Sequence, residues 1–350
     1  MYMNNFERYI LPDTSDMRDA LIALDRNSDD ILTLLIVDVN KRMIGTLTDG
    51  DVRRGLIQGK DLADNVKAIM HTSFRFIDED RKEVKLIKEY RERGIKLLPY
   101  LSKDGKIEKV YALNKISSLL PIDAVIMAGG KGERLRPLTL TTPKPLLKLG
   151  NKCIIDYNVD ALISYGMENI SVTVNYLGEQ LVEHYKEKRY NIHIKCVREP
   201  NFLGTMGSVK FVDSFVNDTV LVMNSDLFTN IDYEDFYLQF LENNADMSVA
   251  AVPYSVNIPY GIFELSGRDI KGVKEKPTHN YYANAGIYLI KKKLLDLIPD
   301  GVFYNATDFI DTLIAKHHKV IRYPLIGYWI DIGKHEDYRK AQEIVKHIKE

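Results

Sequence analysis

The chain has 350 residues, too many for one ordinary domain, and 45% apolar with 28% charged residues describes a globular protein with ample core material. A formal net charge of −1 gives no overall attraction for nucleic acid or an anionic membrane. No uninterrupted apolar run reaches the roughly 18–20 residues that a membrane span needs.

Two cysteines, Cys153 and Cys196, lack a CxxC spacing and a neighbouring His pair, so a disulfide framework or zinc centre is not expected; each reads as a small buried hydrophobe. The first residues, Met1 to Arg8, lack the basic region and apolar run of a signal peptide, and the expected location is the cytoplasm.

In chain order, Asp13-Thr14-Ser15 offers helix caps before Met17, Ala20, Leu21 and Leu24 at helical spacing. An apolar strand, Thr33 to Val39, follows, then a turn at Asn40-Lys41 and a strand from Met43 to Thr48. The pattern returns about 65 residues later. A helix runs from Glu83 to Arg93 with Val84, Ile87 and either Tyr90 or Arg91 on one face. Strands at Ile95–Leu101 and Ile107–Leu113 flank a Lys103-Asp104-Gly105-Lys106 turn, as in an antiparallel hairpin.

This repeated helix–strand–strand unit, over residues 6 to 120, resembles a pair of CBS motifs, with Gly45-Thr46-Leu47-Thr48-Asp49-Gly50-Asp51 as its most specific piece. The resemblance implies that Thr48 and Asp51 hold the ribose of an adenine nucleotide, a diol that a hydroxyl and a carboxylate can bond together. The second copy has Leu113 and Ile116 at the equivalent places, so one ligand site per pair is expected. CBS pairs bury apolar faces against one another, which implies a homodimer or a dimer of dimers.

After Pro121 the texture changes. Apolar runs at Ala124–Met127, Ile170–Val174, Ile192–Val197, Val220–Met223 and Met247–Val252 alternate with helical segments such as Asp156–Tyr165 and Glu179–Lys188. That alternation predicts an α/β fold with a doubly wound, mostly parallel sheet over residues 121–350, preceded by an α+β domain over residues 1–120. Ligands in such sheets sit beyond the carboxyl ends of the strands.

Met127-Ala128-Gly129-Gly130-Lys131-Gly132-Glu133-Arg134 ends the first of these strands in glycines, which let backbone N–H groups approach phosphates. With Thr142-Pro143-Lys144-Pro145-Leu146 it resembles the signature of sugar-phosphate nucleotidylyltransferases, except that Glu133 stands where the consensus has Thr. The family resemblance implies that Ala128, Gly129, Gly130 and Gly132 cradle a nucleoside triphosphate. It further implies that Arg134 holds the triphosphate, that Lys144 sits near the reacting phosphates, and that Asp226 and Asp331 hold Mg²⁺. Asp226 ends an apolar strand in Met223-Asn224-Ser225-Asp226, and Asp331 lies in Trp329-Ile330-Asp331-Ile332-Gly333.

Glu199, Gly204 and Thr205, in Glu199-Pro200-Asn201-Phe202-Leu203-Gly204-Thr205-Met206-Gly207, resemble the element that lies against the base. Met206 there replaces a commonly smaller residue. Gly261, Glu275, Lys276 and Asn284 resemble the sugar-phosphate pocket. The pairing of CBS repeats with this module is similar to the glucosamine-1-phosphate guanylyltransferases of bacterial legionaminic acid synthesis and other surface-polysaccharide nucleotidyltransferases. It implies GTP ahead of CTP, then UTP or dTTP, with a hexose or hexosamine 1-phosphate. His317-His318 and His335 receive no chemistry. The alternative is a non-catalytic nucleotide-sugar sensor.

Overall fold

A computed structural model of the protein describes Met3 and residues 5–347. The chain divides into two compact units, Met1–Leu119 with Ser164–Gly166, and Leu120–Ile163 with Met167–Glu350.

In the first unit, β1 (Ile10–Pro12) pairs parallel with β2 (Thr33–Val37), which pairs antiparallel with β3 (Met43–Thr48). Between β1 and β2 runs α1 (Met17–Arg26), started by a capping box in which the Asp16 carboxylate accepts from Asp19 N at 2.8 Å. Its Met17, Ala20 and Leu24 bury against Leu34, Ile36 and Leu47. β2 stops at Val37, short of the predicted Val39, because Asp38 Oδ1 accepts from the backbone of Asn40 and Arg42 and turns the chain. α2 (Asp49–Ile57) closes the first copy.

The second copy contains α3 (Val84–Glu92) and the antiparallel pair β4 (Leu97–Leu101) and β5 (Ile107–Ala112). Ile77 forms a parallel bridge to Tyr100, echoing β1 on β2. Of the two candidates for the apolar face of α3, Tyr90 joins the core of Ile77, Ile87 and Leu98. Leu113 and Ile116 are buried in that same core.

In the second unit the strands are β6 (Ile122–Ala128), a short hairpin of β7 (Lys148–Leu149) and β8 (Lys152–Cys153), β9 (Ile170–Val174), β10 (Lys195–Arg198), β11 (Thr219–Asn224) and β12 (Leu227–Thr229). Then come β13 (Met247–Asn257), β14 (Ile262–Ser266), β15 (Asp269–Lys274), β16 (Thr278–Lys291), β17 (Val320–Pro324) and β18 (Trp329–Asp331). The helices are α4 (Ile154–Ser164), α5 (Gly178–His184), α6 (Gly204–Gly207), α7 (Tyr233–Glu242), α8 (Ala306–Ala315) and α9 (His335–Val345).

The main sheet has the order β10-β9-β6-β11-β16-β13-β17. It is mixed: β16 runs antiparallel to β11 and β13, and the other neighbours are parallel. Every residue of β6 and β9 is buried, as strands covered on both faces require. On one face, Val125, Val220, Val222, Tyr288 and Ile290 meet Met206, Val209, Phe309 and Leu313.

The strand predicted at Ile192–Val197 forms later, at Lys195–Arg198. Ile192 and Ile194 are buried, but Arg189 and Ile192 exchange backbone hydrogen bonds across a turn at Tyr190-Asn191. An apolar run alone cannot distinguish such a buried turn from a strand. Cys153 is buried as expected, whereas Cys196 is only half-buried; burial raises both thiols, that of Cys196 to about 11.

Candidate active site

From β6 the chain moves to β9 and β10 on one side, then returns to place β11 on the other side of β6. Strand order therefore reverses between β6 and β11, and a crevice opens beyond their carboxyl ends. Met127 pairs with Asn224, and Ser225 N donates to Met127 O at 3.1 Å, so the glycine-rich loop and Asp226 leave the sheet side by side. Ala128, Gly129, Gly130, Gly132, Arg134, Lys144, Glu199, Gly204, Thr205 and Asp226 line a cleft of about 650 Å³.

Two glycines are required by geometry. A Cβ on Gly129 would lie 2.2 Å from Glu199 Oε1, and Gly132 holds φ at 62° with Thr139 and Lys144 packed against it.

Two acids far apart in sequence meet because β12 and β18 form an antiparallel ladder. Leu227 pairs with Asp331, and Ile332 N donates to Asp226 O at 3.1 Å. The segment is anchored by Leu135, Leu149, Ile154, Phe228 and Ile332, with Ala341 from α9. Lys144, mostly buried between its prolines, donates to Asp226 Oδ2 and stands 3.9 Å from Asp331 Oδ1. Arg134 lies against Gly333.

Burial and the neighbouring Asp226 carboxylate raise the Asp331 carboxyl above its ordinary range, with Lys144 and Arg134 working against them. Among the described residues, Asp226 Oδ1 is buried with no hydrogen-bond partner. A buried acceptor without a donor is costly unless something else satisfies it.

At the other side of the cleft, Glu199 is 4% exposed and its Oε2 accepts from Leu203 N at 3.2 Å. Burial pushes its carboxyl up to about 7, against the Leu203 hydrogen bond. Thr205, at the start of α6, accepts from Ala306 N at 2.7 Å and so ties the loop to α8.

The remaining four candidates are not drawn into this cleft. Gly261, Glu275, Lys276 and Asn284 are all exposed. Gly261 faces Glu275, and Lys276 holds φ at 43°, a left-handed conformation that costs a lysine energy. Asn284 lies where the β13–β16 register shifts, with its Oδ1 accepting from Gly286 N at 2.9 Å.

The pattern of the nucleotidyl transferase family matches residues 123–347, which hold the sheet, the loop and both acids. The chain belongs to that family.

This nucleotidyl transferase is 32% identical over 223 residues to a mannose-1-phosphate guanyltransferase of Yarrowia lipolytica, covering 61% of each chain. It is 32% identical over 225 residues to the mannose-1-phosphate guanyltransferase of Schizosaccharomyces pombe, covering 61% of this chain and 62% of that one. The match thus spans about six-tenths of the length of these relatives. Among solved structures, HddC from Yersinia pseudotuberculosis aligns with a TM-score of 0.50 at 25% identity, over 64% of this chain and 99% of that one.

Sequence reasoning missed Asn175, which lines the cleft of this nucleotidyl transferase. Its signal was a polar residue directly ending the apolar run Ile170–Val174. It also missed that Cys153, Asp156 and His184 bring possible ligand atoms within 4.8 Å of one another. There the Asp156 carboxylate is already engaged by His184 at 2.9 Å, Tyr185 at 3.1 Å and the Arg189 guanidinium at 3.2 Å. His335, to which no chemistry was given, bonds Arg136 O at 3.0 Å.

In the other unit, Thr48 and Asp51 stand at the start of α2. Thr48 N and Oγ1 donate to Asp51 Oδ2 at 2.8 and 2.7 Å, and Arg54 donates to Asp51 Oδ1 at 2.5 Å. Burial works to raise the Asp51 carboxyl, but Thr48 and Arg54 outweigh it and hold it below its ordinary value.

Proposed function

We propose that the chain joins a sugar 1-phosphate to a nucleoside triphosphate, GTP by preference, releasing pyrophosphate and a nucleotide-sugar. The observation that carries this reading is the buried Lys144 beside the half-buried carboxylates of Asp226 and Asp331 at the switch point, next to a glycine-rich loop with Arg134. The family and the names of the relatives support the reaction class.

A divalent cation, Mg²⁺ in this reading, fits Asp226 and Asp331, since Asp226 Oδ1 is a buried acceptor without a partner beside a second carboxylate. Bound there, the ion would neutralise charge on the phosphates. The loop amides at Gly129–Gly132 bind phosphate oxygens, and Arg134 and Lys144 offset charge as pyrophosphate forms. The attacking oxygen belongs to the sugar phosphate, already ionised at neutral pH, so no protein nucleophile is needed. It bonds to the α-phosphorus as the bond to the bridging oxygen breaks, and pyrophosphate leaves with the electron pair.

Glu199 supports guanine. Its carboxylate retains acceptor capacity beyond the Leu203 bond, and guanine offers adjacent N1–H and N2–H donors to one acceptor pair. Uracil and thymine offer one donor flanked by carbonyls that a carboxylate repels. By the same resemblance, Gly261, Glu275, Lys276 and Asn284 receive the sugar phosphate, a hexose or hexosamine derivative of the kind used for surface polysaccharide such as legionaminic acid.

For the first unit we propose a CBS pair that binds an adenine nucleotide at Thr48 and Asp51, tunes turnover and contributes to a homo-oligomer in the cytoplasm. The repeated strand–helix–hairpin with its echoed parallel bridge supports the pair. A calorimetric titration with AMP, ADP, ATP and their guanine counterparts tests it; no heat with any removes the regulatory site.

The test of the reaction is pyrophosphate release over a grid of triphosphates and sugar 1-phosphates with Mg²⁺, and Asp226→Asn as control. Release that the control loses is expected. Silence across the grid from folded, nucleotide-binding protein would favour a sensor.

A further inference from the structure

Beyond the bulge between Val249 and Ala251, β13 and β16 leave the main sheet. β17 accompanies β13 only as far as Ala251, and β11 accompanies β16 only over Ile287–Lys291. What remains, residues 252–257 with 278–283, is a two-stranded ribbon with neither edge paired in the main sheet.

Its two faces differ. Alternation places Pro253, Ser255 and Asn257 with Tyr282, Asn280 and Thr278 on one face. That face is finished for water: Ser255 Oγ donates to Asn280 Oδ1 at 2.7 Å, Thr278 Oγ1 donates to Asn257 Oδ1 at 2.8 Å, and Arg322 lies 3.8 Å over the Tyr282 ring. The opposite face carries Val252, Tyr254 and Val256 with Ala283, Tyr281 and His279. Tyr254, Val256 and Tyr281 are 59%, 39% and 56% exposed.

The β14–β15 hairpin repeats the arrangement. Phe263 pairs with Val273 and Leu265 with Ile270 on one face, while Glu264 and Lys274 pair ionically on the other. Those four apolar side chains are 56–64% exposed. One-sided patterning is the mark of an antiparallel sheet with a core on its apolar side. Val252 and Ala283, nearest the main sheet, are half-buried, while the outer apolar side chains of both faces stay 39–64% exposed in the single chain.

We propose that these faces are covered by the same faces of a second copy of this chain, in a two-fold symmetric contact. Surfaces dominated by apolar and aromatic side chains, with His279 at one end, suit a two-fold contact of like face on like face. The extent is also right. At on the order of 100 Å² left exposed by each, these seven side chains present roughly 700 Å², close to one partner's share of a stable interface. The inference is independent of the reaction proposed above. It is also independent of any assembly through the CBS repeats, since each contact halves or doubles the mass by itself.

The test is sedimentation velocity and light scattering on the full chain at micromolar concentration. The wild type is expected as a dimer or dimer of dimers. Phe263→Glu with Leu265→Glu in one variant, and Tyr281→Glu in another, should each halve the assembled mass with circular dichroism and melting preserved, because these side chains carry no core packing within one chain. Ser255→Glu, on the finished face, should keep the wild-type mass. A monomeric wild type, folded apolar-face variants of undiminished mass, or halving by Ser255→Glu would each overturn the proposal.

Discussion

Asp51 and Asp226 were both singled out by sequence for ligands, and the structure treats them differently. Asp51 has both oxygens engaged, by Thr48 and by Arg54, within three residues of itself. Asp226 spends one oxygen on Lys144, a residue of another segment, and leaves the other buried with no partner among the described residues. A carboxylate satisfied locally contributes to its own helix start. One held unsatisfied in a cleft costs stability that a ligand can recover. The contrast predicts where each substitution is felt: activity at Asp226, folding at Thr48 and Asp51.

The largest effects belong to the cleft. Asp226→Asn and Arg134→Ala should each lower kcat by about 10²–10³, as loss of one charge-stabilising group does elsewhere. Asp226→Asn should also lower the urea midpoint through loss of the Lys144 ion pair, but by far less than it lowers turnover, because the amide oxygen can still accept from Lys144 and Oδ1 supports no hydrogen bond within the described residues. Folded variants that release pyrophosphate at near-normal rates would break the contrast at its strongest point.

Glu199 comes next. Glu199→Gln replaces one acceptor with a donor at the place proposed to read guanine, and should cost GTP about 1–3 kcal/mol in kcat/KM, by the scale of a good bidentate base contact. Its titration sharpens the test. With the carboxyl near 7, lowering the pH through 7 protonates it, so the KM for GTP should rise toward pH 6 in the wild type and stay flat in Glu199→Gln. The stability of the substrate-free protein should run the opposite way. A raised carboxyl favours the folded state below the ordinary glutamate range, and that contribution is lost as pH climbs through 7. A pH-independent KM in the wild type would show that Glu199 does not face the base.

Much of this contrast was legible in the sequence, for identifiable reasons. Buried parallel strands announce themselves as apolar runs, so β9 falls at Ile170–Val174 as predicted, and hairpin turns mark β2–β3 and β4–β5. The glycine loop and both acids were picked out through their resemblance to the family's motifs, and the structure brings Lys144 of the neighbouring segment to both acids. What stayed hidden depends on distance in three dimensions. Nothing in the run containing Glu199 says that its side chain presses on Gly129, or that Asp156 will be met by Arg189. Nor does alternation in residues 252–283 reveal whether its apolar face finds a partner in the same chain. The displacement of β10 had a local cause, the Tyr190-Asn191 turn in left-handed conformation that buries Ile192 outside any strand.

Lys276 tests the proposed sugar-phosphate site, whose four residues the single chain leaves exposed. Lys276→Met should raise the KM for sugar 1-phosphate about tenfold, the loss of one modest charge-assisted contact, while the KM for GTP stays unchanged. An equal rise in both would move Lys276 to the triphosphate side.

The smallest effect is expected at Thr48. Thr48→Ala removes a hydroxyl that both donates to Asp51 Oδ2 and accepts from Asp51 N at 3.3 Å. The Thr48 backbone donation to Asp51 at 2.8 Å survives, so half of the capping box remains. The expected cost is therefore about 1 kcal/mol, read as a lower urea midpoint at unchanged slope. Pyrophosphate release without adenine nucleotide should be unaltered. If the same variant also abolishes the calorimetric signal of adenine nucleotide, the cap hydroxyl serves ligand as well as helix. An unchanged signal would leave Thr48 a capping residue alone, and would place any nucleotide that the first unit binds on other groups.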